Sequence, residues 1–344
     1  MMLLNARILQ APMTGVGRYL SEVLAAWPGE APRRLDAPRR AAHGLRGHAW
    51  EQLVLPARVG RNLLWSPVHS GPLAITRQVV TVHDVVALDH PEWLNPGFAR
   101  WYGFMLPRLV RRARHVIAIS AFTRDRLIRT TGLSEDAVSV IPNGVSARFG
   151  PPEPAARQRM RRALGLEDVR YLLSVGTLEP RKNLAGLLRA WTRALPDLPE
   201  DLELVIAGGP GRSSVFAEES LGGLPPRVRL AGRVDDEMLP ALYAEAEWFV
   251  YLSLYEGFGL PPLEALACGT PVIVSDIAVF RELLGDAAVT AAPQDDAAVA
   301  DVLKQAVSDP GLRRTLAERG LARAQHFDWC ETARKTRDVL ERFG

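Results

Sequence analysis

YLSLYEGFGLPPLEALACGTPVIVSD, residues 251–276, decides how the rest of the chain is read. It runs as strand end, glycine loop, short helix, turn and strand. The helix starts near Pro261 and Pro262, because proline's missing N–H is no loss in a first helical turn. Gly269 stops it. None of residues 257–262 is a Ser, Thr, Asp or Asn able to cap that start. Its first N–H groups therefore have no side-chain partner nearby in sequence, and with Gly257 and Gly259 before them they form a ready anion site. Glu256 in the loop and Glu264 in the helix flank it. Two carboxylates repel an anion but accept hydrogen bonds from hydroxyls, so the stretch suits a ligand carrying both phosphates and hydroxyls, such as a nucleotide sugar. The plainer alternative is an uncapped helix with two solvated acids.

Outward from this stretch the pattern alternates strand and helix. WFVYLSL (248–254) leads in and TPVIVSD (270–276) leads out. Upstream, YLLSVGTLEP (171–180) is a strand and NLAGLLRAWTRAL (183–195) a helix, with Arg181 and Lys182 between them. Two cations beside a helix start, at the C-terminal end of a strand, make a diphosphate site. Lysine is otherwise scarce, occurring only at Lys182, Lys304 and Lys335. LELVIAGGPG (202–211) reads as a strand and glycine turn, and RVRLAGRVDDEMLPALYAEA (227–246) as strand, loop and helix. Helices near 295–308 and 310–325 follow, and a last helix is expected in 326–343.

The first half has the same alternation. MLLNARILQ (2–10) is a strand, followed by a loop with Gly15 and Gly17 and a helix with Tyr19, Leu20, Val23, Leu24 and Trp27 on one face. Gly-x-Gly here lacks the third glycine of the dinucleotide fingerprint, and a tight turn explains it equally well. Residues 28–61 look irregular, with a helix near 48–59. Arg33, Arg34, Arg39 and Arg40 there suit a solvated face or, less simply, an acceptor or membrane contact. LLWSPVHS (63–70) and QVVTVHDVVAL (78–88) read as buried parallel strands. His83 and Asp84 fall at the C-terminal end of the second, where α/β sheets place ligand groups; His69 on the preceding strand is a weaker candidate. Residues 93–114 form an amphipathic helix with Trp101, Tyr102 and Phe104 beside Arg108, Arg111 and Arg112. It fits a core-facing helix with a basic side, or the edge of an anionic bilayer. RFGPPEPAA (148–156) breaks every periodicity and marks a linker.

Glu256-Gly-Phe-Gly-Leu-Pro-Pro-Leu-Glu264 resembles the Glu–seven residues–Glu motif of the retaining glycosyltransferases of family 4. Thr14-Gly-Val-Gly-Arg-Tyr19, SAFTRDRL (120–127), IPNGV (141–145) and the Arg181-Lys182 pair are similar to further signposts of that family. The resemblance implies the GT-B fold: two Rossmann-like, doubly wound parallel-sheet α/β domains facing across a cleft. The N-terminal, acceptor-side domain would span 1–149 and be completed by a C-terminal helix, 328–344; the nucleotide-sugar domain would span 150–327. The resemblance further implies that His83 points at the donor sugar, that Arg181 and Lys182 neutralise the leaving diphosphate, and that Glu256 contacts the sugar while Glu264 holds the ribose. It assigns donor contacts to Gly15, Gly17, Gly176, Val234, Gly257, Phe258, Gly259 and Leu260. Similarity to bacterial polysaccharide mannosyltransferases implies GDP-mannose as donor and a saccharide or lipid-linked oligosaccharide as acceptor. No residue dictates guanine, so UDP-, ADP- and dTDP-sugars stay open.

Composition narrows the classes. At 344 residues, two cores are the natural expectation. No apolar run is long enough for a membrane span, and MMLLNARILQAP lacks a signal-peptide core. Cys268 and Cys330 are too few and too far apart for a disulfide framework or a zinc site. A cytoplasmic protein is expected, with peripheral contact at the inner face of the cell membrane as an extension. Residues 1–150 carry 19 Arg, no Lys and 10 acidic residues, a balance of +9; of the chain's 42 basic and 39 acidic residues this leaves 23 and 29 for 151–344, a balance of −6. A basic first half suggests an anionic partner: membrane surface, lipid-linked phosphate and nucleic acid all fit the sign, and a genomic bias towards arginine explains it equally well. With the resemblance, the expectation is a lipid-linked acceptor and peripheral membrane contact, with no nucleic acid.

A retaining hydrolase would set two carboxylates close together, one of them as nucleophile. Glycines and a helix start around Glu256 suit holding hydroxyls and phosphate instead, so catalysis is assigned to electrostatics: Arg181, Lys182 and the helix start at 258–260 take the charge that builds on the diphosphate, each such donor worth about 2.7–4 kcal/mol. Asp235-Asp236 and Asp295-Asp296 are adjacent pairs in loops rather than metal-binding Asp-x-Asp, so no metal and no other cofactor is expected. Two rivals remain: a nucleotide-binding protein of a polysaccharide complex without transfer activity, and a dinucleotide oxidoreductase, which the missing third glycine disfavours.

Overall fold

The computed structural model describes residues 1–10, 14–42, 44–209 and 223–344. The chain forms two compact bodies, one of residues 1–144 with 327–344 and one of residues 145–326.

The first body holds six parallel strands: β1 (Met2–Asn5), β2 (Arg33–Leu35), β3 (Leu63–Ser66), β4 (Gln78–Val82), β5 (His115–Ala118) and β6 (Val138–Val140). Their order is β2-β1-β3-β4-β5-β6. Every residue of β3, β4 and β5 is buried, as a sheet covered on both faces requires. Helix α1 (Gly15–Ala25) follows β1 and is capped by the Thr14 side chain, which accepts from Gly17 N–H. Residues 44–59 are one helical stretch: α2 (Gly44–Ala49), a π-helical turn (Trp50–Val54) and α3 (Leu55–Val59). It begins four residues before the helix expected near 48–59, and a short strand, β2, occupies part of the region expected to be irregular.

The π turn carries Glu51 into the interior, where its carboxylate accepts from Asn5 Nδ2 (2.7 Å) and Ser70 Oγ (3.0 Å) and lies 3.5 Å from Arg7 Nε. One buried acid thus ties the ends of β1 and β3 to this helix. Burial pushes that carboxyl up, but hydrogen bonding from His48 and Asn5 and the charge of Arg7 outweigh it and hold it below the usual range.

After β4 come α4 (Val86–Asp89) and α5 (Pro96–Arg112), then α6 (Ala121–Thr131), capped by Ser120. Tyr102, Met105, Leu106, Leu109 and Val110 of α5 pack into the core with Val80, Val82 and Val116. The core-facing reading of α5 therefore holds, with Phe98 and Phe104 left 42% and 49% exposed. The last helix, α14 (Trp329–Phe343), joins this body. Thr332 Oγ1 donates to Pro142 O (2.7 Å), Arg337 Nη1 to Pro28 O (3.0 Å), and Phe343 stacks on His115.

The second body opens with α7 (Pro154–Leu164), a helix inside and beyond the stretch read as a linker. The prolines that suggested a break include Pro154, which sits in the first turn, where proline is tolerated. With only Met160 buried, α7 has almost no apolar stripe; Arg157 and Arg161 dock it through Glu245. Ahead of it, Phe149 is buried against Tyr243 of the same body.

The sheet comprises β7 (Arg170–Val175), β8 (Leu202–Ala207), β9 (Val228–Gly232), β10 (Trp248–Tyr251), β11 (Val272–Ser275) and β12 (Ala288–Ala291), all parallel. The order is β12-β11-β10-β7-β8-β9. Helices α8 (Leu184–Ala194), α9 (Leu239–Ala244), α10 (Leu260–Ala267), α11 (Ala278–Leu284), α12 (Asp296–Ser308) and α13 (Pro310–Ala324) cover it. Residues 210–211 of the expected glycine turn lie outside the described residues. The chain winds outward from β7 to β8 and β9, then returns to place β10 on the other side of β7. The strand order therefore reverses between β7 and β10, and open α/β sheets bind ligands at the carboxyl ends of the strands at such a point.

Candidate active site

The loops leaving β7 and β10 at this reversal carry the residues singled out in sequence. Beyond β7 the chain reaches a 3₁₀ turn, Pro180–Lys182, and then Asn183 in the left-handed conformation (φ 54°), rare for a non-glycine residue. Asn183 is held there by its Nδ2–H donating to Pro293 O (2.6 Å), and it leads into α8. The carbonyl of Arg181 accepts from Leu254 N–H (2.7 Å), which fastens this turn to the loop after β10. The backbone thus presents Arg181 and Lys182 towards that loop.

Both cations meet on Glu256. Arg181 Nη1 lies 3.0 Å from Oε2 and Lys182 Nζ 2.5 Å from Oε1. Tyr251, the last residue of β10, donates its hydroxyl to Oε1 (3.0 Å) and also accepts from Lys182 Nζ. Glu179 pairs with Arg181 Nε at 3.1 Å. Burial pushes the Glu256 carboxyl up, but the charges of Lys182 and Arg181 outweigh it, holding the group down at about 2. Burial and the neighbouring Arg181 pull the Lys182 ammonium below its usual value, against the opposing pull of Glu256.

Helix α10 starts as expected: Gly259 occupies the cap position and no side chain caps it. Gly259 has φ 125°, and a Cβ there would stand 2.6 Å from the Phe280 ring, so only glycine fits. Gly257, Phe258 and Gly259 are buried in the loop between Glu256 and the helix, and Leu260 is its first residue. One turn on, Glu264 is buried and accepts from Tyr243 Oη at 3.1 Å. Gly176 lies beside the cluster: a Cβ on it would stand 3.7 Å from the Tyr251 ring and 4.0 Å from Lys182. Val234 is buried on the loop after β9, at the far edge of the sheet.

The remaining candidates belong to the other body. Gly15 and Gly17 form the first turn of α1. His83 follows β4 directly, is buried, and has Nε2 2.8 Å from Pro67 O. A carbonyl only accepts, so the proton sits on Nε2 and Nδ1 keeps its lone pair. Burial lowers this imidazole to about 4 despite the Pro67 hydrogen bond, so the ring is neutral at pH 7. Tyr19 of α1 packs edge-on against it at 4.7 Å.

Three residues of the second body's site went unread in the sequence. Tyr251 and Tyr243 look like ordinary core aromatics, and only their hydroxyl contacts set them apart. Glu179 precedes the two cations and carried a signal, an acid two residues from Arg181. Chemically, the cluster offers two cations, an uncapped helix start whose first turn carries the Leu260 N–H ahead of Pro261 and Pro262, and two buried carboxylates. That set can bind an anion and hydroxyls side by side.

A family description of glycosyl transferases group 1 matches residues 156–323, and one of glycosyltransferase family 4 matches residues 17–149. The O-antigen chain mannosyltransferase B of Escherichia coli is 34% identical over 264 residues, covering 75% of this chain and 68% of that protein. The MMP alpha-(1->4)-mannosyltransferase of Mycolicibacterium hassiacum is 30% identical over 339 residues, covering 94% of this chain and 78% of that protein. Among solved structures, HepE of Anabaena in complex with UDP and glucose superposes with a TM-score of 0.74 at 19% identity, over 99% of this chain and 98% of that one. At that identity the likeness is one of fold.

Proposed function

The chain is a member of glycosyltransferase family 4 with the GT-B fold, and we propose that it transfers mannose from GDP-mannose, with retention of anomeric configuration, to a saccharide or lipid-linked oligosaccharide. One observation carries the assignment of the donor site: Arg181 and Lys182 converge on Glu256 beside the uncapped start of α10, at the reversal of strand order. The two named relatives are mannosyltransferases, which supports mannose as the sugar.

In this reading the diphosphate lies against Arg181, Lys182 and the start of α10, where the Leu260 N–H and the helix dipole add to the two cations and preorganised charge stabilises the leaving group. Glu256 accepts from hydroxyls of the sugar and Glu264 from those of the ribose. The bond from the anomeric carbon to the phosphate oxygen breaks and a bond to the acceptor oxygen forms on the same face. The acceptor's proton passes to the departing phosphate, so the step needs no side-chain base. The two cations take the role a divalent metal would have, and we expect turnover to survive chelation. For His83 the family resemblance supports a role at the donor sugar, and its neutral ring suits hydrogen bonding there.

The acceptor side is proposed to meet an anionic membrane surface. Leu45 and Leu53 are 89% and 78% exposed, and Val54, Phe98 and Phe104 are also exposed. These residues lie on two helical stretches joined by a Trp101 Nε1 to His48 Nδ1 hydrogen bond of 3.2 Å, and the same stretches carry the exposed Arg46, Arg58, Arg100 and Arg108. Exposed apolar side chains on helices that also carry exposed arginines match an anionic headgroup layer. Among the described residues no helix is long and apolar enough to cross a membrane.

The test is a thermal-shift panel of GDP, UDP, ADP and dTDP with their sugars, followed by NMR of the product's anomeric configuration. GDP-mannose should give the largest shift and an α-linked product. Binding without turnover on any sugar acceptor would favour the non-catalytic rival, and an inverted product would remove the retaining mechanism.

A further inference from the structure

Glu256 already engages both of the cations that are assigned to the diphosphate. Each of its oxygens is taken: Oε2 by Arg181, and Oε1 by Lys182 and the Tyr251 hydroxyl. With Glu179 on Arg181, two cations face two carboxylates, and the cluster is balanced in charge before any ligand arrives. A diphosphate reaching Arg181 and Lys182 must therefore share them with Glu256.

The consequence differs for donor and product. A nucleotide sugar is esterified at both ends of its diphosphate and carries a charge of about −2. It also brings hydroxyls that the displaced carboxylate can accept from. The nucleoside diphosphate left after transfer has a free terminal phosphate whose second ionisation lies near pH 6, so above that pH it carries about −3. It brings no sugar hydroxyl to the carboxylate.

We propose that Glu256 is a selectivity residue that acts as an internal competing anion, admitting the sugar-bearing diphosphate and expelling the sugar-free product. The inference rests on the donor site proposed above. The neighbouring Glu179, 21% exposed at its side chain and on the other edge of Arg181, competes for charge without reaching for a sugar, and so serves as the internal control. Tyr251 is a positioning residue here: its hydroxyl holds Oε1 on the Lys182 side.

Calorimetry on the full chain and its Glu256→Gln and Glu179→Gln variants decides the matter. The ligands are GDP and GDP-mannose, or the corresponding pair for whichever of UDP, ADP or dTDP the parent binds. Glu256→Gln should bind the nucleoside diphosphate about tenfold tighter than the parent and bind the nucleotide sugar more weakly. Glu179→Gln should tighten both ligands, rather than tightening one and weakening the other. Should Glu256→Gln not melt cooperatively, Glu256→Asp, which draws the carboxylate back by one methylene, is expected to split the two ligands in the same sense. If the parent binds the donor and the Glu256 variants leave the diphosphate unchanged or weaker, the inference is wrong and the function stands. If the parent binds none of the four nucleotides, the donor site falls and the inference with it.

Discussion

Glu256 and His83 are both buried titratable groups whose folded state prefers the form present at neutral pH. The His83 imidazole is lowered to about 4, so the unfolded chain, titrating near 6.5, binds the proton more readily. Its contribution to stability is complete above pH 6.5 and is lost as pH falls towards 4. The Glu256 carboxyl is lowered to about 2, so its contribution is complete above about 4.5 and is lost between there and pH 2. Melting temperature followed from pH 7 to pH 3 should therefore fall in two stages, and His83→Gln should reduce the upper one, to which His69 and His115, also lowered by burial, contribute as well. An unaltered upper stage in that variant would show that the buried ring is not the group responsible. These couplings were only half legible in sequence. The end of a strand marked His83, and the motif marked Glu256, but nothing in the order of residues says that a carboxylate 75 positions away will hold Arg181. Tyr251 and Tyr243 were silent for a related reason: a strand or helix tyrosine reads as core until its hydroxyl partner is known.

At the level of elements, periodicity and punctuation did most of the work. Buried parallel strands are continuous apolar runs, and β3, β4, β10 and β11 announce themselves that way. Helix α10 was legible from its prolines and from the absence of a cap. Helix α7 was not, because a stripe of one buried residue leaves no period to detect, and the π turn at Trp50–Val54 has no local signature at all. That turn nevertheless aims Glu51 at Arg7, Asn5 and Ser70. Removing one partner of a buried ion pair leaves the other charge uncompensated, at a cost of about 3–5 kcal/mol. Glu51→Ala should lose stability of that order in urea denaturation, and a loss below about 1 kcal/mol would show that the cluster is not a staple of the first body.

Across the whole molecule, two doubly wound sheets arise from two runs of alternating strands and helices, and the last helix belongs to the first body. The charge asymmetry read in the sequence holds for the first body itself: residues 1–144 with 327–344 carry 22 basic and 14 acidic residues, a balance of +8, which is the sign of an anionic-surface binder. Sedimentation with vesicles of 30% phosphatidylglycerol in phosphatidylcholine should carry the protein down at low salt, while pure phosphatidylcholine should not. Leu53→Ser with Phe104→Ser should reduce the bound fraction several-fold without changing the melting temperature, since both side chains are largely exposed. Equal binding to neutral vesicles would remove the electrostatic part of this account.

The central claim is that Lys182 and Arg181, with the bare start of α10, grip a diphosphate. Calorimetric titration of GDP and of guanosine into the parent and into Lys182→Ala tests it most directly. The account predicts that the parent binds GDP and not guanosine, and that Lys182→Ala weakens GDP binding by about tenfold to a hundredfold, the range for a lost hydrogen bond to a charged group. Equal affinity for GDP in the two proteins, or guanosine bound as tightly as GDP, would contradict it.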